Sequence, residues 1–381
     1  LDSGSTPDIS TNFRRKELKN VLVIGTGTIG EPLIGLLADF KKELDISVFF
    51  HKRTPLNHEI AKVNSLIDRG AKLVVDEGME EAFTRLGHEP VLFHDTALRI
   101  ADVVIDCTPA GNINKEMYYQ PLLEEKYCAT KNKNRLFIAQ GSEKGFGLPY
   151  AYGINDEALK ESKKKKNNFV QVVSCNTHNI CSVLKSLSPK LSSQELLNSD
   201  FVCIRRSNDI SQESSFIPSP EVGKHSDATF GTHHAHDASR VITTLHKTLN
   251  LFSSAMKVNS QYMHTIRFNI LLHGHITTEQ VLSRFRENAF VTLTHKKTAN
   301  KVFSFGRDHG YYGRIFNQTV VSIPSVATTQ LAGKTQVTGF CFTPQDGNSL
   351  LSSIAATLHH LYGVKYTKYM KHFDRYLFDM V

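Results

Sequence analysis

Short apolar runs alternate with amphipathic stretches through the first 170 residues. Val21–Ile24 reads as a buried strand, after which Ile29, Leu33, Leu36, Leu37 and Phe40 recur at helical spacing. "DISVFFHKRTP" predicts a second strand ending near Phe50, and "AKLVV" (71–75), "ADVVIDCTPAG" (101–111) and "RLFIAQGSE" (135–143) predict three more. Short apolar strands separated by helical segments predict a parallel, doubly wound α/β sheet. Beyond it, "VVSCNTHNICSVLKSL" (172–187) passes from a β-rich run straight into a helical stripe of Ile180, Val183, Leu184 and Leu187. Cys175 then falls in the first helical turn, with Ser174 or Asn176 as the cap. "QYMHTIRFNI" alternates like a strand and carries His264, and "NSLLSSIAATLHHLYG" sets Leu351, Ile354, Leu358 and Leu361 at helical spacing.

Length and composition narrow the class. A chain of 381 residues is long enough for two cores, and 40% hydrophobic with 22% charged residues is ordinary for a globular protein. No stretch approaches the ~18 apolar residues of a membrane span. Residues 1–19 are polar without an apolar signal region and read as a disordered leader or tag remnant. Cys107, Cys128, Cys175, Cys181, Cys203 and Cys341 form neither a zinc pattern nor a disulfide framework, which points to a reducing, cytoplasmic compartment. The net charge of +8 admits an anionic partner, a phosphorylated small molecule or nucleic acid. Part of the excess is the run "KESKKKKNN" (160–168), read as a solvated loop, and basic and aromatic residues are not interleaved as in single-strand binders. No nucleic-acid or membrane partner is therefore expected.

The chemistry begins at "GTGTIG". Gly25, Gly27 and Gly30 stand in G-x-G-x-x-G register between the predicted strand and helix. The first glycine permits a tight turn, the second lets pyrophosphate approach the backbone, and the third lets helix pack on strand. The helix start then holds the phosphates. After the second strand a site selective for NAD would offer Asp or Glu. Here Lys52, Arg53 and Thr54 follow His51, a set suited to the 2′-phosphate of NADP. Thr108, Pro109, Gly111, Gln140 and Gly141 fall at carboxyl ends of strands, where ligands bind such sheets.

A cysteine in a helix's first turn meets unpaired N–H groups and a partial positive charge, which favour thiolate. The residues alone leave Cys175 open between nucleophile and small core residue, whereas Cys181 reads as core. A base for such a nucleophile could come from "GTHHAHDASRV", with His233, His234 and His236 beside Asp237, or from His264. No Cys pair or HExxH helix supports a metal, and none is expected. Arg205 and Arg206 end a strand and face opposite ways, so one can reach an anionic substrate.

In order and over nearly the whole chain from about residue 20, "GTGTIG", "KRTP", "DVVIDCTPAG", "QGSEK", "VVSCNT", "IRRSND", "HHAHD" and "MH" match a known pattern. The sequence resembles the archaeal-type (type II) phosphorylating glyceraldehyde-3-phosphate dehydrogenases. The resemblance implies a Rossmann domain over 20–170, an α+β catalytic domain with a mostly antiparallel sheet over 171–345, and a helix over 346–381 packed back on the Rossmann domain. It implies Cys175 as nucleophile, His264 as base, and Ser174, Asn176, Arg205, Arg206, His233, His234 and Ala235 around the substrate. Thr28, Ile29, Gly141 or Ser142, Arg206 and Gln345 fall at cofactor contacts. The implied activity is oxidation of glyceraldehyde 3-phosphate with inorganic phosphate and NADP or NAD, or its reverse in gluconeogenesis, by a cytoplasmic homotetramer. Departures from the family pattern cluster around the substrate: "HHAHD" stands for HHGPD, His178 and Asn179 for Thr-Gly, and Ser142 for a second glycine. They keep two alternatives open, a thioester-forming dehydrogenase for another phosphorylated or acidic aldehyde and a catalytically lapsed NADP-binding protein.

Overall fold

The first-half strands are β1 (Lys19–Ile24), β2 (Ile46–His51), β3 (Lys72–Val75), β4 (Leu92–Phe93), β5 (Val103–Asp106), β6 (Leu136–Gln140), β7 (Leu148–Tyr150) and β8 (Phe169–Val172). They form one sheet in the order β4-β3-β2-β1-β5-β6-β8-β7, and its pairings are parallel. The computed structural model describes residues 18–124, 134–141, 143–208 and 217–381, so Ser142, Cys128 and the leader up to residue 17 lie outside the described residues. Helices cover both faces of the sheet, which is why its strands are apolar on both sides: β2 and β6 are buried at every position. The predicted order of strand, glycine turn and helix is observed, with the helix running Gly30–Asp39.

The second sheet contains β9 (Leu196–Arg205), β10 (Glu221–Val222), β11 (Leu251–Lys257), β12 (His264–His273), β13 (Val291–Thr294), β14 (Thr319–Ser322), β15 (Ala327–Leu331) and β16 (Lys334–Thr343). Its order is β10-β11-β9-β12-β16-β14-β13, with β15 also on β16. Among the described residues β9–β11 and β13–β14 are parallel and the other pairings antiparallel. β12 alternates buried and half-buried residues along its length, as the sequence around His264 predicts. One face packs on the Cys175–Leu187 helix, which contributes Ile180, Val183, Leu184 and Leu187 to a core with Phe201, Ile266 and Phe268.

The C-terminal helix Leu350–Tyr362 belongs instead to the nucleotide-sheet core. Leu350, Leu351, Ile354, Ala355 and Leu358 pack there with residues of β1, β2, β5 and β6. One expectation is corrected. The lysine run is solvated but only its second part is a loop: Asp156–Lys164 is helical, with Ala158, Leu159 and Ser162 buried on one side, and residues 165–168 follow it outside the helix. Three small or apolar residues at helical spacing suffice to seat that face, while the lysines stay in water.

Candidate active site

Because the first sheet is parallel, the carboxyl ends of β1, β5, β6 and β8 lie side by side on one edge. Gly25, Thr108, Gly141 and Ser174 therefore follow one another across that edge. Three inter-strand steps of ~4.8 Å separate the glycine loop from the start of the Cys175 helix, about 14 Å in all. That span suits an extended dinucleotide. Gly25 has φ +91°, and a Cβ on Gly30 would lie 2.0 Å from the Gly25 carbonyl oxygen, whereas a Cβ on Gly27 would meet nothing within 4 Å. Gly25 and Gly30 are thus required by the loop itself, and the open space at Gly27 is the approach a phosphate needs.

A cleft of about 530 Å³ runs beside this loop, lined by Gly25, Thr26, Lys52, Arg53, Thr54, Thr108 and Pro109 among others. Asp106, fully buried at the end of β5, organises the far wall. It accepts from Thr108 N–H (2.9 Å), Thr108 Oγ1 (2.7 Å), Asn114 Nδ2 (2.7 Å) and Tyr119 OH (2.7 Å). The basic set after β2 is divided. Lys52 is buried against the carboxylate of Glu59, while Arg53 is 79% exposed and 3.7 Å from Asp76. His51 Nε2 donates to Asp76 Oδ1 (2.9 Å), and burial with the neighbouring His94 lowers its pKa to about 4.

Cys175 opens its helix as the spacing predicts. Ser174 is the cap, accepting the Thr177 N–H (3.4 Å), and Cys175 is half-buried and in no disulfide. Cys181, Cys203 and Cys341 are fully buried, and burial raises their thiol pKa values. The helix start is tied to β16: Thr343 Oγ1 donates to Asn176 Oδ1 (3.2 Å) and accepts from Asn179 Nδ2 (2.9 Å). Thr343 is the residue directly opposite His264 in the β12–β16 ladder. Asn176, next to Cys175, and His264 thus meet at one residue, from two elements far apart in the chain.

His264 is buried, and its Nδ1 accepts the backbone N–H of Arg206 (2.9 Å). Burial first, then Arg206, Arg205 and His234, hold its pKa well below the ordinary histidine value, so the ring is neutral. The two arginines part as predicted. Arg206 turns inward to Asp346 Oδ2 (3.4 Å), and Arg205 stays half-buried near His233 and His234. His233–Thr243 is a helix, and the His233 and His234 rings meet in its first turn, tilted, with centroids 4.0 Å apart. His234 is 3% exposed, and neither ring nitrogen has a hydrogen-bond partner. Lys144 approaches the same turn and pairs with Asp237 at 3.3 Å. Ala235 does not have positive φ, so alanine replaces the family's glycine there without backbone strain.

The second family departure, His178, is structural in its contacts. Its ring is fully buried, with Nδ1 3.0 Å from the Ser174 carbonyl and Nε2 2.8 Å from Ser352 Oγ of the C-terminal helix. Burial lowers its pKa from 6.5 to about 4. The folded ring is neutral where the unfolded ring begins to bind a proton, so its stabilisation is complete above pH 6.5 and is lost as the pH falls toward 4. The full shift corresponds to roughly 3 kcal/mol. The melting temperature is expected to be level above pH 7 and to fall steeply between pH 6.5 and 4, less steeply in His178→Gln. An equal slope in the variant would contradict a buried neutral ring.

No family model matches the chain. Similar proteins do exist. The glyceraldehyde-3-phosphate dehydrogenase of Pyrobaculum neutrophilum is 26% identical over 317 residues, 80% of this chain and 83% of its own length. That of Methanothermus fervidus is 27% identical over 286 residues, covering 72% and 74%, and that of Saccharolobus solfataricus 26% over 283, covering 73% and 74%. The chain is thus similar, over most of its length, to archaeal glyceraldehyde-3-phosphate dehydrogenases. This similarity supports an oxidoreductase and agrees with the Rossmann-like parallel sheet joined to a mixed sheet. No helix among the described residues is long and apolar enough to cross a membrane.

Several contacts around the family site were not legible in the sequence. Lys144, Asp346 and Asn348 touch it only through tertiary packing, and Asn348 Nδ2 donates to the Cys175 carbonyl (2.9 Å). Gln345, expected from the resemblance at the cofactor, packs on His264. For Asp106 a signal was present: a buried aspartate closing a strand, followed by Thr and Asn that can serve it.

Proposed function

We propose that this protein oxidises glyceraldehyde 3-phosphate, with inorganic phosphate, to 1,3-bisphosphoglycerate, or runs the reverse, through a thioester on Cys175 and with NADP or NAD. The observation that carries this reading is the join at Thr343, which sets the Cys175 helix start and His264 against one residue beside the cofactor edge. The orphaned ring nitrogens of His234 support an anionic substrate, since a buried polar group without a partner costs about 1–3 kcal/mol until a ligand supplies one. His233, Arg205 and Lys144 surround that ring and suit the substrate phosphate and the attacking phosphate.

The glycine loop, Thr108, Pro109 and Gly141 would hold the dinucleotide, and the space over Gly27 fits its pyrophosphate. When bound, the nicotinamide supplies a hydride acceptor. His264, neutral at physiological pH, takes the Cys175 proton, and the thiolate adds to the aldehyde carbon. N–H groups at the helix start face the oxyanion that forms. Loss of hydride from the thiohemiacetal carbon leaves a thioester. Phosphate then attacks the acyl carbon, the C–S bond breaks, and the Cys175 thiolate returns with the acyl phosphate as product. Lys52, already paired with Glu59, leaves Arg53 as the exposed cation for a 2′-phosphate.

The purified protein is expected to reduce NADP, and more slowly NAD, when given glyceraldehyde 3-phosphate and phosphate together. Omitting phosphate is expected to stop turnover after one equivalent. Sustained reduction without phosphate, or activity only with other acidic aldehydes, would overturn the assignment in favour of a different thioester-forming dehydrogenase.

A further inference from the structure

A carboxylate just past β2 would mark a site for NAD, and the sequence there carries Lys52, Arg53 and Thr54 instead. The fold brings a carboxylate to the same place from the next strand. β3 pairs with β2 through Val74 and His51, and the Lys52 N–H donates to the Val74 carbonyl at 3.1 Å. Asp76 directly follows β3 and so stands about one inter-strand step, ~4.8 Å, from the end of β2. It lines the same cleft as Gly25, Lys52, Arg53 and Thr54. Its Oδ1 accepts from His51 Nε2 at 2.9 Å, and its Oδ2 lies 3.7 Å from Arg53 Nε.

The other charges at this end of the cleft are already matched. Lys52 is buried against Glu59. Lys62, from the helix Ile60–Asp68, donates to the same carboxylate at 2.5 Å and to the Thr26 carbonyl at 3.3 Å, and it lies 4.0 Å from Glu31. Asp106, on the far wall, is taken up by its four donors. His51 and His94 are neutral near pH 7, because burial holds both pKa values below the ordinary one. What faces an arriving adenosine ribose is therefore Arg53 with Asp76 beside it. A 2′-phosphate drawn to Arg53 meets a like charge there. A 2′-hydroxyl meets an acceptor, since an ionised carboxylate offers about four lone-pair sites.

We propose that Asp76 is a specificity-determining residue that keeps NAD usable beside NADP: its carboxylate accepts from the ribose 2′-hydroxyl of NAD and opposes the 2′-phosphate that Arg53 attracts. This rests on the reading of the cleft as the dinucleotide site. The two side chains pull cofactor choice in opposite directions, so the preference for NADP is modest.

The test is calorimetric titration of the full chain, without substrate, by NADP and by NAD in turn. The wild type is expected to bind both, with dissociation constants within tenfold of each other. Asp76→Asn keeps an oxygen for His51 and removes the charge. It is expected to raise the preference for NADP over NAD at least tenfold. Asp76→Ser removes the charge without adding an amide N–H and is expected to shift the preference the same way. Arg53→Gln is expected to move it at least tenfold toward NAD. A role confined to holding His51 would leave the preference in Asp76→Asn within twofold of wild type, and that result would overturn the inference alone. A shift in Asp76→Asn with none in Asp76→Ser would belong to the new amide and would also overturn it. If the wild type binds neither dinucleotide, the reading of the cleft falls and takes the inference with it.

Discussion

Replacing Cys175 with serine is expected to lower kcat by roughly 10³-fold or more while leaving cofactor affinity within about twofold. The substitution is nearly isosteric, and serine suits a helix start as well as cysteine does. The cap at Ser174, the bonds of Asn176 and Asn179 to Thr343, and the Asn348 bond to the residue 175 carbonyl do not involve the sulfur. What changes is the acidity. A cysteine at neutral pH is already a few per cent thiolate and becomes more so at a helix start, whereas a serine hydroxyl is not ionised there. Turnover with glyceraldehyde 3-phosphate and a cofactor titration by fluorescence distinguish the outcomes. Equal loss of turnover and cofactor binding would make Cys175 a structural residue, and retained turnover would remove it from the chemistry.

Gly30→Ala and Gly27→Ala are expected to separate folding from cofactor binding within one loop. At Gly30 the new methyl would lie 2.0 Å from the Gly25 oxygen and 2.9 Å from the Gly25 carbonyl carbon. Both are backbone atoms at a residue held at φ +91°, so the loop must shift as a unit. Overpacking of this kind costs about 1–3 kcal/mol, and here it also displaces the N–H groups that would hold phosphate. At Gly27 the methyl enters open space, so stability is expected to stay within ~0.5 kcal/mol. Affinity is nevertheless expected to fall, because the methyl occupies the approach of the pyrophosphate. Thermal melts and cofactor titrations read the two effects separately. Unchanged cofactor affinity in Gly27→Ala would place the dinucleotide elsewhere.

Features written in neighbouring residues were readable from the chain. Val21–Ile24 followed by "GTGTIG" specifies strand, turn and helix, because the Gly25–Gly30 contact is a short-range steric demand. The helix at Cys175 follows equally from its 3, 1, 3 apolar spacing and its serine cap. The lysine run misled for a related reason: five lysines outweigh Ala158 and Leu159 in composition, yet burial depends on which side of a helix a residue occupies.

By itself, the sequence determined the doubly wound sheet, the glycine loop, the Cys175 helix and the His264 strand, since each depends on periodicity and backbone sterics within a dozen residues. Tertiary structure alone decided their company. It set Thr343 between Asn176 of the Cys175 helix and His264, turned Lys52 to Glu59 and Arg206 to Asp346, and brought Gln345 across 81 residues onto the His264 ring. The physical reason is that strand order decides which distant residues meet, and a buried charge or N–H pairs with whatever acceptor that meeting provides.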